Sequence, residues 1–190
     1  MAIRPLEKPS RDAALRLDPF DPRGAPIVAS WVRTRREAYW LAPQTAPPIT
    51  AADVLRWRRP RGCPLELRRA GDDRLLGYGE VNLLNADRRA YWLGHVIVAP
   101  DQRGRGLGRR LTHLLLAHAF EVCGARRVSL VVFPENRAAV ACYRAAGMID
   151  EGVETHYFEA WGRSERLLRL GASRPPALWR GRGRADQAIP

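Results

Sequence analysis

Apolar positions at Trp31, Val32, Ala38 and Tyr39 fall at helical spacing, which predicts a helix over Ala29–Leu41 stopped by Pro43. A second short helix is expected over Ala51–Arg59: Thr50 is its N-cap, Asp53 completes an approximate capping box, and Pro60 closes it. Three strand-like runs follow, Leu65–Ala70, Leu75–Leu84 and Arg89–Ala99, parted by Gly71-Asp72-Asp73 and Asn85-Ala86-Asp87. Alternation broken by turn-forming clusters reads as an antiparallel meander. After Pro100 the period changes. A glycine-rich segment opens onto Leu107, Leu111, Leu114, Leu115, His118 and Val122, a helical stripe that ends at Gly124. Arg127–Phe133 is apolar on both faces, as a central parallel strand requires. Asn136–Ala146 is a further helix stopped by Gly147, and Val153–Trp161 and Glu165–Leu170 are two last strands. The order ααβββαβαββ has no internal repeat and predicts a mixed α/β sheet rather than a doubly wound one.

The flanks read differently. Residues 1–25 hold Pro5, Pro9, Pro19 and Pro22 among mixed charges and are expected to form a proline-rich arm. Residues 171–190 carry Arg174, Arg180, Arg182 and Arg184 among glycine and proline and are expected to be a basic disordered tail, which leaves 26–170 as the folded unit. At 190 residues and 46% apolar composition the chain has the makings of one self-sufficient domain. Its longest apolar runs, Leu114–Phe120 and Val128–Pro134, fall short of the about 20 residues a bilayer span needs. Met1–Ser10 lacks the apolar stretch of a secretory signal, so a cytoplasmic location with no membrane partner is expected.

Cys63, Cys123 and Cys142 make no C-x-x-C pair, and His113 and His118 are too far apart to share a helical face, so no metal site is expected. The formal charge is +12, and Lys8 is the one lysine among the basic residues. An arginine excess of this kind has three readings: a GC-rich genome, an anionic ligand, or nucleic acid.

Arg103-Gly104-Arg105-Gly106-Leu107-Gly108-Arg109 stands between the end of a strand and the start of the longest helix. Glycines there allow positive φ, so successive backbone amides can converge on one anion at the positive end of the helix. A solvated glycine-rich turn is the plainer reading. The dinucleotide fingerprint fails because Arg109 stands where its last glycine belongs, and the Gly-Lys-Ser/Thr of a P-loop is missing. The segment does match R/Q-x-x-G-x-G/A at Arg103, Gly106 and Gly108, behind a strand that exits through Val98-Ala99-Pro100.

With the run VSLVVFPENRAAVACYRAAGM from Val128 to Met148, these features make the chain resemble the GNAT superfamily of acetyl-CoA-dependent N-acetyltransferases. The resemblance implies a mixed, mostly antiparallel sheet of six to seven strands flanked by helices. It also implies acetyl transfer from acetyl-CoA directly to a primary amine, carried by a small molecule or a peptide, within a ternary complex. The amides of Arg103, Gly104, Arg105, Gly106, Leu107, Gly108 and Arg109 would then grip the pyrophosphate, helped by the guanidinium groups. The main chain of Val96, Ile97 and Val98 would bind the acetyl and pantetheine portions, Asn136 would hold the pantetheine arm, and Tyr143 would lie near the thioester sulfur.

The chemistry needs an unprotonated amine and a proton for the departing thiolate. Tyr143 suits the acid role; a core tyrosine is the plainer alternative. Positions where family members carry a base hold Val131 and Trp92 here, so Glu80 in Gly77-Tyr78-Gly79-Glu80-Val81 is the catalytic carboxylate expected to relay a proton through water. A solvated or ion-paired strand charge is its bland reading. His95 is a reserve candidate, with its side chain on the face opposite Val96 and Val98. Trp31, Tyr39, Trp40, Trp57, His156, Tyr157 and Trp161 are candidates to line an acceptor groove, and Glu151, Glu154 and Glu159 would have to gather for a polycationic acceptor. A nucleic-acid- or ribosome-associated binding protein on the same fold is the competing reading.

Overall fold

Each of the two capping boxes starts a helix, and they set the boundaries of the N-terminal half. In the computed structural model, which describes residues 14–174, Thr34 Oγ1 accepts from the Glu37 amide at 3.1 Å while Glu37 Oε2 accepts from Thr34 N at 3.2 Å. The single helix expected over Ala29–Leu41 is therefore two, α1 (Ala25–Ser30) and α2 (Arg35–Leu41), because Thr34-x-x-Glu37 is itself a helix start. The Thr50–Asp53 box holds as read and opens α3 (Ala51–Arg56).

The sheet has seven strands: β1 (Leu15–Pro19), β2 (Gly62–Arg69), β3 (Leu75–Asn85), β4 (Ala90–Val98), β5 (Arg127–Val132), β6 (Ile149–Phe158) and β7 (Arg163–Ser173). They lie in the order β1-β2-β3-β4-β5-β7-β6, and every neighbouring pair is antiparallel except β4 with β5. The expected N-terminal arm needs correction, since Leu15–Pro19 pairs with Leu65–Arg69 as an edge strand, where Pro19 costs no interior ladder bond. The expected tail begins too early: Gly171, Ala172 and Ser173 pair with Ser129, Val128 and Arg127. The arm before residue 14 and the tail after residue 174 lie outside the described residues.

Two apolar cores cover the two faces of the sheet. On one face α4 (Leu107–Ala117, continued by a wider π turn over His118–Val122) and α5 (Arg137–Ala145) bury Leu111, Leu115 and Val140 against Leu65, Leu67, Val81 and Val128. On the other, α1 to α3 bury Val28, Ala38, Val54 and Trp57 against Leu75, Tyr78 and Ile97. Gly79 lets α4 approach β3, since a Cβ there would stand 2.7 Å from Leu115 Cδ1. No helix among the described residues is long and apolar enough to cross a membrane.

What positions the site is the parting of β4 from β5. Their parallel pairing covers only Ala90–Trp92 with Arg127–Ser129, so β4 runs on to Val98 without a neighbour on that side. A β-bulge accompanies the parting: Tyr78 opposes Ile97 and Glu80 opposes Gly94, which leaves Gly79 facing both His95 and Val96. His95 takes φ +47° there. Bulges bend a strand and raise its local twist, which turns the end of β4 away from β5.

Candidate active site

Beyond β4, one turn over Pro100–Gln102 delivers the chain to Gly104 and Gly106, at φ +73° and +79°. Both are left-handed positions that other residues avoid, and a Cβ at either would meet nothing within 4 Å. Arg110 N, bonded to Gly106 O at 3.2 Å, is the first amide of α4 with a carbonyl partner; among the described residues no protein acceptor takes the amides of Gly104 through Arg109. Six bare N–H groups at the positive end of an eleven-residue helix, with the exposed side chains of Arg105 and Arg109 beside them, make a candidate anion cradle.

Arg103 does not belong to that cradle. Its amide donates to Pro100 O at 3.4 Å, and its guanidinium is taken by Val98 O at 3.1 Å, Trp31 O at 3.0 Å and the Glu37 carboxylate. The side chain points back under the loop and braces it against α1 and α2. Ile97 leaves the expected grip as well: its backbone pairs with Tyr78 and its side chain enters the second core. Ala99 N bonds Leu76 O at 2.9 Å, and because backbone groups alternate sides along a strand, those of Val98 turn toward the open edge, where Arg103 takes the carbonyl; Val96 lies in the bulge on the same edge.

The opposite wall comes from α5. Asn136 caps that helix through Oδ1, which accepts from Ala139 N at 3.3 Å, and its Nδ2 has no protein partner among the described residues. Tyr143 is half-buried and packs, with Val96, Val98, Leu107 and Ala139, at the rim of the first core. Burial, with Cys142 beside it, holds its phenol above the usual tyrosine range, so it stays protonated. Cys142 Sγ lies 3.7 Å from Thr112 Oγ1 and would stand 3.2 Å from a Cβ at Gly108, so glycine at 108 lets α4 and α5 close on each other. Burial pushes the Cys142 thiol up, which leaves it a poor nucleophile.

Glu80 is fully buried on the α1–α3 face of the sheet. Tyr78 donates to its Oε1 at 2.7 Å and Asn82 to its Oε2 at 2.9 Å, while His95 Nδ1 lies 3.1 Å from Oε1, off the line of a well-formed hydrogen bond. Burial alone would raise this carboxyl; the His95, Asn82 and Tyr78 partners outweigh it and hold the carboxyl below the usual range. The expected water relay therefore needs correction, because a carboxylate without surface cannot meet an acceptor or bulk water. The His95 ring lies flat on Trp57, with centroids 4.2 Å apart, and meets the edge of Trp92 at 6.2 Å. Sequence reasoning put His95 on the correct face but gave no sign of its partners, since the bulge that aims it leaves no mark in the spacing.

The aromatic candidates separate into groups. Tyr39 packs with Phe133, Phe158 and Trp161, and its hydroxyl donates to Glu165 at 2.7 Å and accepts from Arg163 at 3.0 Å. Trp40 lies at the edge of that cluster. Trp31 is core, and His156 bonds Glu154 on β6 beside the exposed Tyr157. The acidic residues do not gather: Glu151 pairs with Arg127 at 2.5 Å and Glu154 with Arg169. A concavity of about 370 Å³ beside Trp57 is lined by Gln44, Thr45, Ala46, Asp53 and Arg56, and one of about 220 Å³ lies against α5 and Leu168. Neither is lined by residues of the cradle. Among the described residues no group of three or more His, Cys, Asp or Glu side chains is placed to hold a metal ion.

Known proteins are similar to this chain in sequence and in fold. The chain is 34% identical to the mycothiol acetyltransferase of Geodermatophilus obscurus over 140 residues, 69% of this chain and 44% of that one. It is 30% identical to the spermidine N(1)-acetyltransferase of Escherichia coli (strain K12) over 90 residues, 47% of each. It thus spans less than half the length of these curated relatives. In three dimensions, spermidine N-acetyltransferase from Vibrio cholerae in complex with CoA and spermine superposes with a TM-score of 0.70 over 84% of this chain and 95% of that one; the identity is 20%, so the likeness is one of fold. The acetyltransferase (GNAT) family model matches residues 29–148. That match takes in the bulged strand, the glycine loop and α5 as one unit, and the chain belongs to the acetyltransferase (GNAT) family.

Proposed function

We propose that this protein moves an acetyl group from acetyl-CoA directly to a primary amine, without a covalent enzyme intermediate. The observation that carries this reading is the run of unpartnered amides from Gly104 to Arg109 beside a β4 that has lost its β5 neighbour. The cradle suits a diphosphate in charge and in its bare donors, and the parted strands leave main-chain groups for an extended amide-bearing arm. Acetyl-CoA supplies the activated acyl group as its thioester. Amides 104–109, with Arg105 and Arg109, hold the diphosphate; Val96 and the amide of Val98 offer backbone groups at the open edge; Asn136 Nδ2 donates to the pantetheine arm. Tyr143 holds a proton at its hydroxyl for the sulfur. The raised thiol of Cys142 supports direct transfer.

The acceptor we infer is a small molecule or peptide presenting one amine rather than a polycation. Carboxylates near the aromatic groups already hold guanidinium partners: Glu165 with Arg163, Asp53 with Arg56, and Glu37 with Arg103. The nucleic-acid alternative gains no support, because many arginines of the described surface, Arg16, Arg68, Arg69 and Arg74 among them, are ion-paired.

Calorimetric titration with CoA and acetyl-CoA, followed by an amine panel with free-thiol detection, tests the reading. Saturable CoA binding and turnover of a monoamine are expected. Salt-sensitive binding of duplex DNA with no CoA heat would overturn it.

A further inference from the structure

We propose that His95, held by Glu80, takes the proton from the acceptor amine; this deepens the acetyl-transfer reading and rests on it. Three independent features of the strand converge on this side chain. First, the bulge gives His95 a positive φ, a backbone state that a non-glycine residue keeps only where the surroundings enforce it, and such strain concentrates at functional sites. Second, a fully buried carboxylate lies 3.1 Å from Nδ1, and Tyr78 and Asn82 fix that carboxylate from β3. Third, the Trp57 and Trp92 rings fix the imidazole plane. Nδ1 is the buried nitrogen; Nε2 is not among the buried unpartnered atoms, and the side chain as a whole keeps 16% of its surface accessible. The residue also sits next to Val96, at the edge where β4 stands open.

A carboxylate 3.1 Å from Nδ1 favours, by its charge, the tautomer that carries a proton there and leaves the Nε2 lone pair free. In the proposed step an N–H bond of the acceptor ammonium breaks, its electron pair stays on the amine nitrogen, and the proton bonds to Nε2. The imidazolium so formed is neutralised by Glu80, the charged group against the ring. The other neighbours do not compete: Trp57 from α3 and Trp92 from β4 are neutral, Tyr78 and Asn82 donate to Glu80, Arg59 stacks on Trp92 at 5.3 Å, and Asp53 and Arg56 pair with each other. Glu80 acts through His95 and is a positioning residue.

The test uses the full chain. His95→Asn is the variant of choice because asparagine tolerates positive φ. With the best amine of the panel it should lower kcat/KM by about 10²- to 10⁴-fold, leave CoA affinity within about twofold, and abolish the acid limb of the pH profile, with partial rescue by added imidazole. Glu80→Gln should lower kcat/KM less. Without turnover, ¹⁵N NMR of the wild-type imidazoles should show His95 as the Nδ1–H tautomer. An Nε2–H tautomer, or a His95→Asn enzyme with wild-type kcat/KM and an unchanged acid limb, would overturn the proposal while leaving acetyl transfer intact. A wild-type protein that binds no CoA or acetylates no amine would bring down the acetyl-transfer reading and this one with it.

Discussion

Glu37 and Arg103 join the second helix to the loop that opens α4. One oxygen of the Glu37 carboxylate closes the capping box of α2 by accepting from Arg33 N and Thr34 N, while the other holds the Arg103 guanidinium. That guanidinium also bonds the carbonyls of Trp31 and Val98, so one arginine ties α1, α2 and the open end of β4 together. Arg103→Ala is expected to cost about 1–2 kcal/mol of stability, as hydrogen bonds to charged groups are lost. CoA affinity should fall only through loosening of the loop, so denaturant midpoint and CoA Kd measured on the same variant should move in that order of size. Arg109→Ala should do the reverse.

Gly106→Ala places a side chain at φ +79°, a conformation that costs an L-residue about 1–2 kcal/mol. The added methyl meets no protein atom, so the damage should fall on the cradle rather than on packing. Calorimetry should show CoA binding weakened about tenfold with the fold retained. Unchanged affinity would remove the cradle from the donor site.

Tyr143→Phe should lower kcat by about 10²-fold or more while CoA Kd holds within about twofold, since the hydroxyl has no partner to lose among the described residues. Because burial raises the phenol above its ordinary value of about 10, the wild-type rate should show no loss from Tyr143 ionisation as pH rises from 7 to about 9. The pH dependence of kcat in both proteins checks this.

Acid should destabilise the protein through a definite set of carboxylates. The Thr50 hydroxyl holds Asp53 below its ordinary range, and Arg169 does the same for Glu154. For Glu37, burial pushes the other way, but the Arg33 amide and Arg103 outweigh it. A carboxyl depressed in the folded state stabilises above its unfolded value, about 4, and that contribution disappears as pH falls through the folded value. The urea midpoint should therefore change little between pH 7 and 6 and drop clearly by about pH 3. Glu37→Gln should show a smaller drop than the wild type.

Local patterns carried much of this protein. The stripe through Leu107, Leu111 and Leu115, the apolar run of β5, the Thr50–Asp53 box and the glycines of the loop each act within a few residues, and α3, α4 and β5 begin where they were read, though α3 ends at Arg56 rather than Arg59. The same local chemistry, weighed more carefully at Thr34 and Glu37, divides the first helix in two. Edge pairing was not legible: Leu15–Pro19 alternates over only five residues, too short a run next to Pro19 and Pro22 to stand out, and becomes a strand because β2 presents an open ladder to it.

The sequence by itself determined the order of elements from α3 onward, the glycine corner between β4 and α4 and the identity of the groups able to handle protons, because dihedral preference and hydrophobic period are properties of neighbouring residues. The tertiary structure alone decided which of those groups are buried and which are paired. Burial and partners are set by residues distant in the chain: they turned Arg103 from a phosphate ligand into a brace, closed Glu80 off from water, and, through a bulge one residue wide, brought His95 between a carboxylate and Trp57.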